Sequence, residues 1–376
     1  MRKLDTAPKI PLNILCALTP GQKLSNWQAI GTLERELQPY YYQLKLGNKI
    51  TFLELKLGRS PIPTNMSVIS LPNWRLLPVW ARIARPFFAE VNIIKTNQSY
   101  NSHLFVHLSK VWRIPIVLRC GMVFGERLES VEGPSKKVKD YQSKEAWAFQ
   151  NCTLAELPTE ELGEWVKSHY HISEEKIRIV PNFVDTQEFH PNSDCQQNNE
   201  APLKVISVGR LHAIKRFELL IEACALVQIP LHIAGEGSEK ENLLRLASDF
   251  GVDLILIGQL PHEKLADFIR QGDIFVITSL REGHPKALIE AMACGLSCVC
   301  VNVPGVRNIV KDGVNGLLVN GSPGDIAKGI ELLANDRDLR FRLGQSAREY
   351  AIKHYDITRI LRMDSQILLE AIRLRE

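Results

Sequence analysis

Short apolar runs, most of them five to seven residues long, alternate with stretches of helical period from one end of the 376-residue chain to the other. That rhythm leaves little freedom. A strand buried on both faces reads as an unbroken apolar run, and parallel strands need crossover connections, usually helices. LNILCAL (12–18), KITFLEL (49–55), SVISL (67–71), VNIIK (91–95), IPIVL (114–118), CTLAE (152–156) and IRIVP (177–181) predict one sheet. A polar stretch without apolar period, residues 192–201, interrupts the pattern. It restarts with KVISV (204–208), PLHIAG (230–235), VDLILIG (252–258), DIFVITS (273–279), SCVCVN (297–302) and GLLV (316–319). The reading is an α/β chain of two Rossmann-like domains. Residues 1–185 form the first, 186–202 a linker and 203–350 the second; in 351–376 a helix from about Thr358 to Leu374 packs back on the first.

Local signals refine this. A helix is expected from Asn26 to Leu37, with Ser25 and Gln28 as a capping box and Pro39 ending or kinking it. The helix after KVISV should turn Phe217, Leu220, Ile221, Cys224, Leu226 and Val227 to one face.

Composition excludes several classes. Apolar residues make up 45% and charged residues 23% of the chain, the balance of a soluble globular protein. No stretch approaches the roughly 20 apolar residues of a membrane span. The N-terminal LNILCAL is too short for a signal sequence and reads as a strand, so a cytoplasmic location is expected. The eight cysteines lack C-x-x-C spacing, and no histidine stands within the run of Cys294, Cys298 and Cys300. Buried thiols are expected there rather than zinc. A net charge of +4 calls for no nucleic acid.

In open parallel sheets, ligands bind beyond the carboxyl ends of the strands. Leu18–Gly21, Val208–Arg210 and Gly235–Gly237 hold that place, although any tight turn also wants glycine. Neither G-x-G-x-x-G nor G-x-x-x-x-G-K-[ST] is present. Gly209-Arg210-Leu-His-Ala-Ile-Lys215 puts two cations beside free helix-end amides, suited to a diphosphate whose charge grows as a bond to it breaks. Taken singly, they would read as solvated surface charges. In Arg281-Glu282-Gly283-His284-Pro-Lys-Ala-Leu-Ile-Glu290, Pro285 suits a first helical turn. Glu282 then lies before the helix and Glu290 on its second turn, about 80° apart beyond two full turns. Both carboxylates can accept hydrogen bonds from sugar and ribose hydroxyls; the plain alternative is a helix-start charge and a solvated glutamate. His284 reads as a polar cap or a donor contact. His103 and His107 are spaced i, i+4 without the glutamate of a zinc motif.

The strings SVGRLHAIKRFELLIEA, IAGEGSEKENL, ITSLREGHPKALIEAMACGLSCVCVNVPGV and KDGVNGLLV, preceded by KIRIVPNFVDTQEFHP, resemble the group 1 glycosyl transferases, glycosyltransferase family 4, across most of residues 176–320. The resemblance implies a GT-B fold, in which two Rossmann-like domains face a central cleft. It also implies a hexosyltransferase that retains anomeric configuration while moving a sugar from a nucleotide diphosphate-sugar, here a UDP-sugar, to an acceptor hydroxyl in polysaccharide or glycoconjugate synthesis.

By the same resemblance Arg210, Lys215 and Glu282 are the catalytic set. Gly209, Gly235, Gly237, Gly283, His284 and Glu290 join them in holding the donor, with Glu290 on the ribose. Arg307-Asn308 departs from the family's frequent Pro-Glu. Thr96-Asn97-Gln98, Arg119-Cys-Gly121 and Trp27…Gly31…Arg35-Glu36 resemble a bacterial subgroup, and Gly21, Asn97, Gln98, Arg119 and Gly121 are the expected acceptor side. Gly121 stands where many members carry a histidine. Same-face attack assisted by the leaving phosphate needs no such base. No cofactor and no protein-bound metal are expected. A nucleotide-sugar epimerase, a sugar phosphorylase or a non-catalytic nucleotide-sugar-binding protein are the alternatives.

The acceptor is a saccharide, a lipid-linked sugar or a small molecule. The segment Trp74–Phe88 mixes aromatics and arginines with no acid. It reads either as a helix packed on the sheet or as a peripheral contact with the inner face of the cytoplasmic membrane.

Overall fold

The computed structural model describes residues 11–56, 60–192 and 202–375. The chain divides into two compact units, Met1–Val180 with Leu361–Glu376, and Pro181–Ile360. The domain edges set from the sequence stand beside divisions at 180/181 and 360/361. Packing explains the observed positions. Val184 bridges to Asp356, and Phe189 is buried in the second unit's core together with Ala347, Ala351 and Tyr355. Residues 193–201 of the expected linker lie outside the described residues, as does Cys195.

In the first unit, β1 (Asn13–Ala17), β2 (Lys49–Glu54), β3 (Met66–Ser70), β4 (Ile93–Thr96), β5 (Ile116–Arg119), β6 (Leu154–Leu157) and β7 (Ile177–Ile179) form one parallel sheet, ordered β3-β2-β1-β4-β5-β6-β7. In the second, β8 (Val205–Val208), β9 (Leu231–Ala234), β10 (Leu254–Gly258), β11 (Ile274–Ile277), β12 (Ser297–Val301) and β13 (Leu317–Val319) are likewise parallel, ordered β10-β9-β8-β11-β12-β13. Every expected run is a strand. The central ones are sealed on both faces: all five residues of β12 and all four of β4 and β11 are buried. Truncating a fully buried core ring such as Phe275 to alanine should cost about 3–5 kcal/mol.

Strand order reverses beside β1 and β4 in one sheet and beside β8 and β11 in the other. At such a reversal the connections leave toward opposite faces and open a crevice at the carboxyl ends of the strands. Each unit therefore presents one such place.

Four local expectations are corrected. The first helix ends at Ala29, and a second runs Leu33–Lys45. Gly31 between them takes φ +65°, a left-handed conformation that ends a helix. Its start is fixed by Asn26, whose Oδ1 accepts from the Lys23 amide at 2.8 Å, not by Ser25 and Gln28. Pro39 sits inside the second helix without ending it. Leu37 and Tyr40 on either side are buried, and Tyr40 lies edge-on to Phe52 at 4.8 Å. In the helix Phe217–Val227, Leu226 is 65% exposed and Ala223 takes the buried position. A 100° advance per residue carries Leu226 off the face held by Phe217, Leu220, Ile221 and Cys224.

Candidate active site

The second unit's crevice is built by loops that lock into one another. After β8 the Gly209 amide donates to Ala234 O at 3.0 Å, and the Leu211 amide to Glu236 O at 2.9 Å. Gly235 and Gly237 permit this close approach. A Cβ on Gly235 would lie 1.9 Å from Gly209 O, and one on Gly237 would lie 2.2 Å from Leu211 O. Arg210 is exposed at the turn. Lys215 closes a short 3₁₀ turn, Ala213–Lys215, just before the helix that begins at Phe217.

The loop after β11 is tied to the same turn. Thr278 Oγ1 donates to Lys215 O at 2.8 Å, and the Leu280 amide to Ile214 O at 2.9 Å. Glu282 Oε1 accepts from Lys215 Nζ at 2.5 Å and from Ser279 Oγ at 2.6 Å. The side chains of Lys215 and Glu282 keep 22% and 12% of their surface exposed, so the pair sits at the edge of solvent. The Glu282–Gly283 turn rests on Gly305, where a Cβ would meet Glu282 O at 2.2 Å.

His284 is buried, its ring edge-on to Tyr355 at 5.0 Å, and its carbonyl accepts from Asn182 Nδ2 at 2.7 Å. Pro285 caps the helix Lys286–Ala293, and Glu290 on its second turn is 2% exposed. Burial, then the negative charges of Asp185 and Glu290, push the Glu188 carboxyl above the usual carboxylate range. The structure thus joins Lys215 directly to Glu282, and the Gly209–Leu211 turn to Gly235 and Gly237. It buries Glu290 on its helix rather than leaving it solvated.

In the first unit the loops after β1, β4 and β5 are laced by side-chain amides. Asn97 Oδ1 accepts from the Thr19 amide at 2.7 Å and from Thr19 Oγ1 at 2.9 Å. Gln98 Oε1 accepts from the Gly121 amide at 3.0 Å. A Cβ at Gly121 would sit 3.2 Å from the Gln98 amide group. Gly21 takes φ +88° with open space around its missing side chain. Beside these loops a cavity of about 620 Å³ is lined by Tyr100, Phe124, Tyr141, Lys136 and Lys144. Its three rings are mutually packed, with centroids 4.5–5.7 Å apart.

Sequence reasoning missed two buried polar clusters. Lys95 of β4 pairs with Glu156 of β6 at 3.2 Å and with Asp364 of the helix Ile357–Arg373. Arg119 reaches Glu156 at 3.3 Å. Burial pulls the Lys95 ammonium below its ordinary pKa, and the negative charge of Glu156 opposes that. The signal was a charged residue inside an otherwise apolar run, in VNIIK and again in CTLAE. The second cluster centres on Glu145, whose carboxylate accepts from Ser99 Oγ, the Phe124 and Gly125 amides and Tyr170 Oη at 2.6–3.1 Å. Tyr100, Phe124 and Tyr141 were missed as well, because nothing in their spacing announces a shared pocket.

The histidine pair His103 and His107 lies on the helix His103–Trp112, where His107 stacks on Trp147 at 4.2 Å. The seven described cysteines are free and buried, and burial pushes the Cys294 thiol up to about 12. One D-x-D string does occur, Asp336-Arg337-Asp338. It starts a helix, with Asp336 accepting from the Leu339 amide at 2.8 Å. Among the described residues no group of three His, Cys, Asp or Glu is placed to hold a metal ion. None of the described helices is long and apolar enough to cross a membrane.

Comparison with known proteins adds the following. Residues 191–350 match the family model of glycosyl transferases group 1. D-inositol 3-phosphate glycosyltransferase of Corynebacterium jeikeium is 28% identical over 270 residues, covering 65% of this chain and 64% of that protein. The lipopolysaccharide core biosynthesis glycosyltransferase LpsE of Rhizobium meliloti is 31% identical over 183 residues, 48% of this chain and 54% of that protein. The chain thus spans about 64% of the length of the first of these relatives. Among solved structures, HepE of Anabaena in complex with UDP superposes with a TM-score of 0.77 at 17% identity, covering 96% of this chain and all of that one. Sucrose-phosphate synthase of Thermosynechococcus elongatus gives 0.77 at 17% identity, covering 95% and 98%. These likenesses establish the two-domain α/β fold of the GT-B glycosyltransferases.

Proposed function

With residues 191–350 belonging to the glycosyl transferases of group 1, we propose that the chain moves a sugar from a nucleotide diphosphate-sugar to an acceptor hydroxyl with retention of configuration. The observation that carries this is the junction of the loops after β8, β9 and β11, where Lys215 is bound to Glu282 beside an exposed Arg210. Unlinked surface charges would not be held together by three hydrogen bonds from two loops.

The chemistry follows from that geometry. Lys215 is held by a carboxylate until a stronger anion arrives. A donor diphosphate draws Arg210 and Lys215 onto its oxygens, and Glu282 is left to accept hydrogen bonds from the sugar hydroxyls. As the bond from the anomeric carbon to the diphosphate oxygen breaks, that oxygen gains charge, and both cations bind it more strongly than they bound the ground state. The acceptor oxygen attacks from the same face and its proton passes to the leaving phosphate. Neither a metal ion nor a protein base enters these steps. Buried Glu290 is the acceptor we assign to the ribose diol.

UDP is the nucleotide we favour, since HepE is solved with UDP. The acceptor side is assigned to Gly21, Asn97, Gln98, Arg119 and Gly121, with the aromatic cavity of Tyr100, Phe124 and Tyr141 next to them. Polysaccharide or glycoconjugate synthesis in the cytoplasm is the setting this supports.

A thermal-shift panel of nucleotide sugars tests the donor, because a ligand at a hundred times its Kd adds about 2.7 kcal/mol to the folded state. A UDP-sugar should raise the midpoint, and nucleotide release should then depend on an added saccharide acceptor. Release of free sugar phosphate, or an epimerised donor without acceptor, would replace this reading with a phosphorylase or an epimerase.

A further inference from the structure

The helical run from Trp74 to Phe88 has one face that the protein covers and one that it leaves open. Leu77, Ala81 and Ala84 are buried in the first unit's core. Trp80 and Phe88 lie 5.5 and 5.8 Å from the Trp112 ring, whose Nε1 donates to Ala81 O at 2.6 Å. The expectation of a helix packed on the sheet accounts for these residues. It does not account for Leu76, Val79, Ile83 and Phe87, which are 46%, 56%, 65% and 83% exposed.

Val79 and Ile83, one turn apart on the α-helix Leu77–Ala84, share a face within about 40°, and the exposed Leu76 and Phe87 stand in the 3₁₀ turns at its two ends, making an apolar stripe. Arg75 and Arg82 are exposed on one flank of it. Arg85 is used internally: its guanidinium donates to Phe88 O and lies 5.6 Å from the Trp112 centroid. The run contains no Asp or Glu, and the next acid along the chain, Glu90, faces Lys49 at 3.5 Å. The side chain of Trp74 lies outside the described residues.

We infer that this face docks on an anionic lipid surface, with Leu76, Val79, Ile83 and Phe87 in the interfacial layer and Arg75 and Arg82 at the headgroups. Charge selects this occupant. A stripe flanked by arginines without acids is complementary to anionic lipid. Two copies of the chain meeting through it would set like charges together, and four side chains supply far less than the ~800 Å² a side that a stable dimer buries. The docking itself stands apart from the glycosyl-transfer reading. Its use, bringing the acceptor domain to lipid-linked sugars, rests on that reading.

The test is sedimentation of the full chain with vesicles of phosphatidylglycerol and phosphatidylcholine, and of phosphatidylcholine alone, across a salt series. The protein should sediment with the anionic vesicles at low salt and be released as salt rises. Ile83→Ser with Phe87→Ser should weaken partitioning at least tenfold. Arg75→Gln with Arg82→Gln should weaken it by more than tenfold at low salt, taking about fivefold per cation. Both variants should keep the wild-type denaturation midpoint, since all four positions are exposed. Absence of binding to anionic vesicles at low salt overturns the proposal, as does equal binding by all three proteins. A concentration-dependent dimer that the serine pair dissolves would assign the stripe to a second copy instead. The donor-induced thermal shift, read on the same samples, separates failure here from failure of the transferase reading.

Discussion

The loop after β1 and the loop after β8 hold equivalent places, each at the strand-order reversal of its own sheet, yet their surroundings use polar groups in opposite ways. In the first unit polar groups are spent on the protein. Asn97 and Gln98 brace backbone amides, and Lys95, Glu156 and Asp364 neutralise one another with side chains no more than 6% exposed. In the second unit the charges stay within reach of solvent: Arg210 is exposed, and Lys215 and Glu282 meet at the surface of the crevice. Buried ion pairs contribute little net stability but are costly to break, whereas a pair at the edge of solvent can be exchanged for a ligand. The same strand–helix rhythm therefore yields one crevice stiffened from within and one left open to an anion.

The sharpest way to break this comparison is to remove the cation of the buried cluster. Lys95→Met leaves Glu156 and Asp364 without their shared partner, and should cost about 3–5 kcal/mol of unfolding free energy in denaturant titration. Turnover per folded molecule should be little changed. A stable Lys95→Met protein with impaired catalysis would reverse the roles drawn above.

Arg210→Ala is the mirror experiment. Losing a preorganised donor to a developing anion costs about 2.7–4 kcal/mol of transition-state stabilisation, a hundredfold or more in turnover. The unfolding midpoint should stay where it was. Near-normal turnover would remove Arg210 from the reaction.

Glu290→Gln sharpens the comparison, because this carboxylate is buried like those of the first unit but assigned to the ligand. Donor affinity should fall by about 1.5–3 kcal/mol, the worth of hydrogen bonds to a charged acceptor, and by more than fold stability does. Matched titrations of donor binding and unfolding decide it; a larger loss of stability than of affinity makes Glu290 a core residue.

The smallest effect is expected where Arg178 of β7 holds Glu370 of the last helix. The hydrogen bond from Arg178 keeps the Glu370 carboxyl below its ordinary pKa. A lowered folded-state pKa means that the contribution is present above the unfolded value and fades as pH falls through the folded one. Both side chains are about a third exposed, so solvent screens the pair. Glu370→Gln should cost only about 0.2–1 kcal/mol at neutral pH, with the deficit closing on acidification.

The sheets were legible because parallel strands sealed on both faces need apolar residues at successive positions, as in SCVCV of β12. The loops after β8 and β11 were legible because their glycines and charges cluster within short stretches, which is enough to single out Lys215 and Glu282. Other features depend on partners distant in sequence. Lys95 and Asp364 are 269 residues apart, and no local spacing links them. Pro39 survives within a helix because Leu37 and Tyr40 are packed, a tertiary effect that overrides a local breaker. The segment Trp74–Phe88 left two readings open, since apolar content alone does not tell which residues face inward.

The first unit is completed by residues from 361 onward, and this bears on how the protein is made. At about 5–20 residues per second, a ribosome that has just added Lys95 needs roughly 10 seconds to a minute to reach Asp364. The second unit's residues are all made within that interval, as one unbroken stretch that ends at Ile360. The first cannot neutralise Lys95 fully until Asp364 has been made. The nascent chain therefore carries a domain that is begun before the second unit and completed only after it.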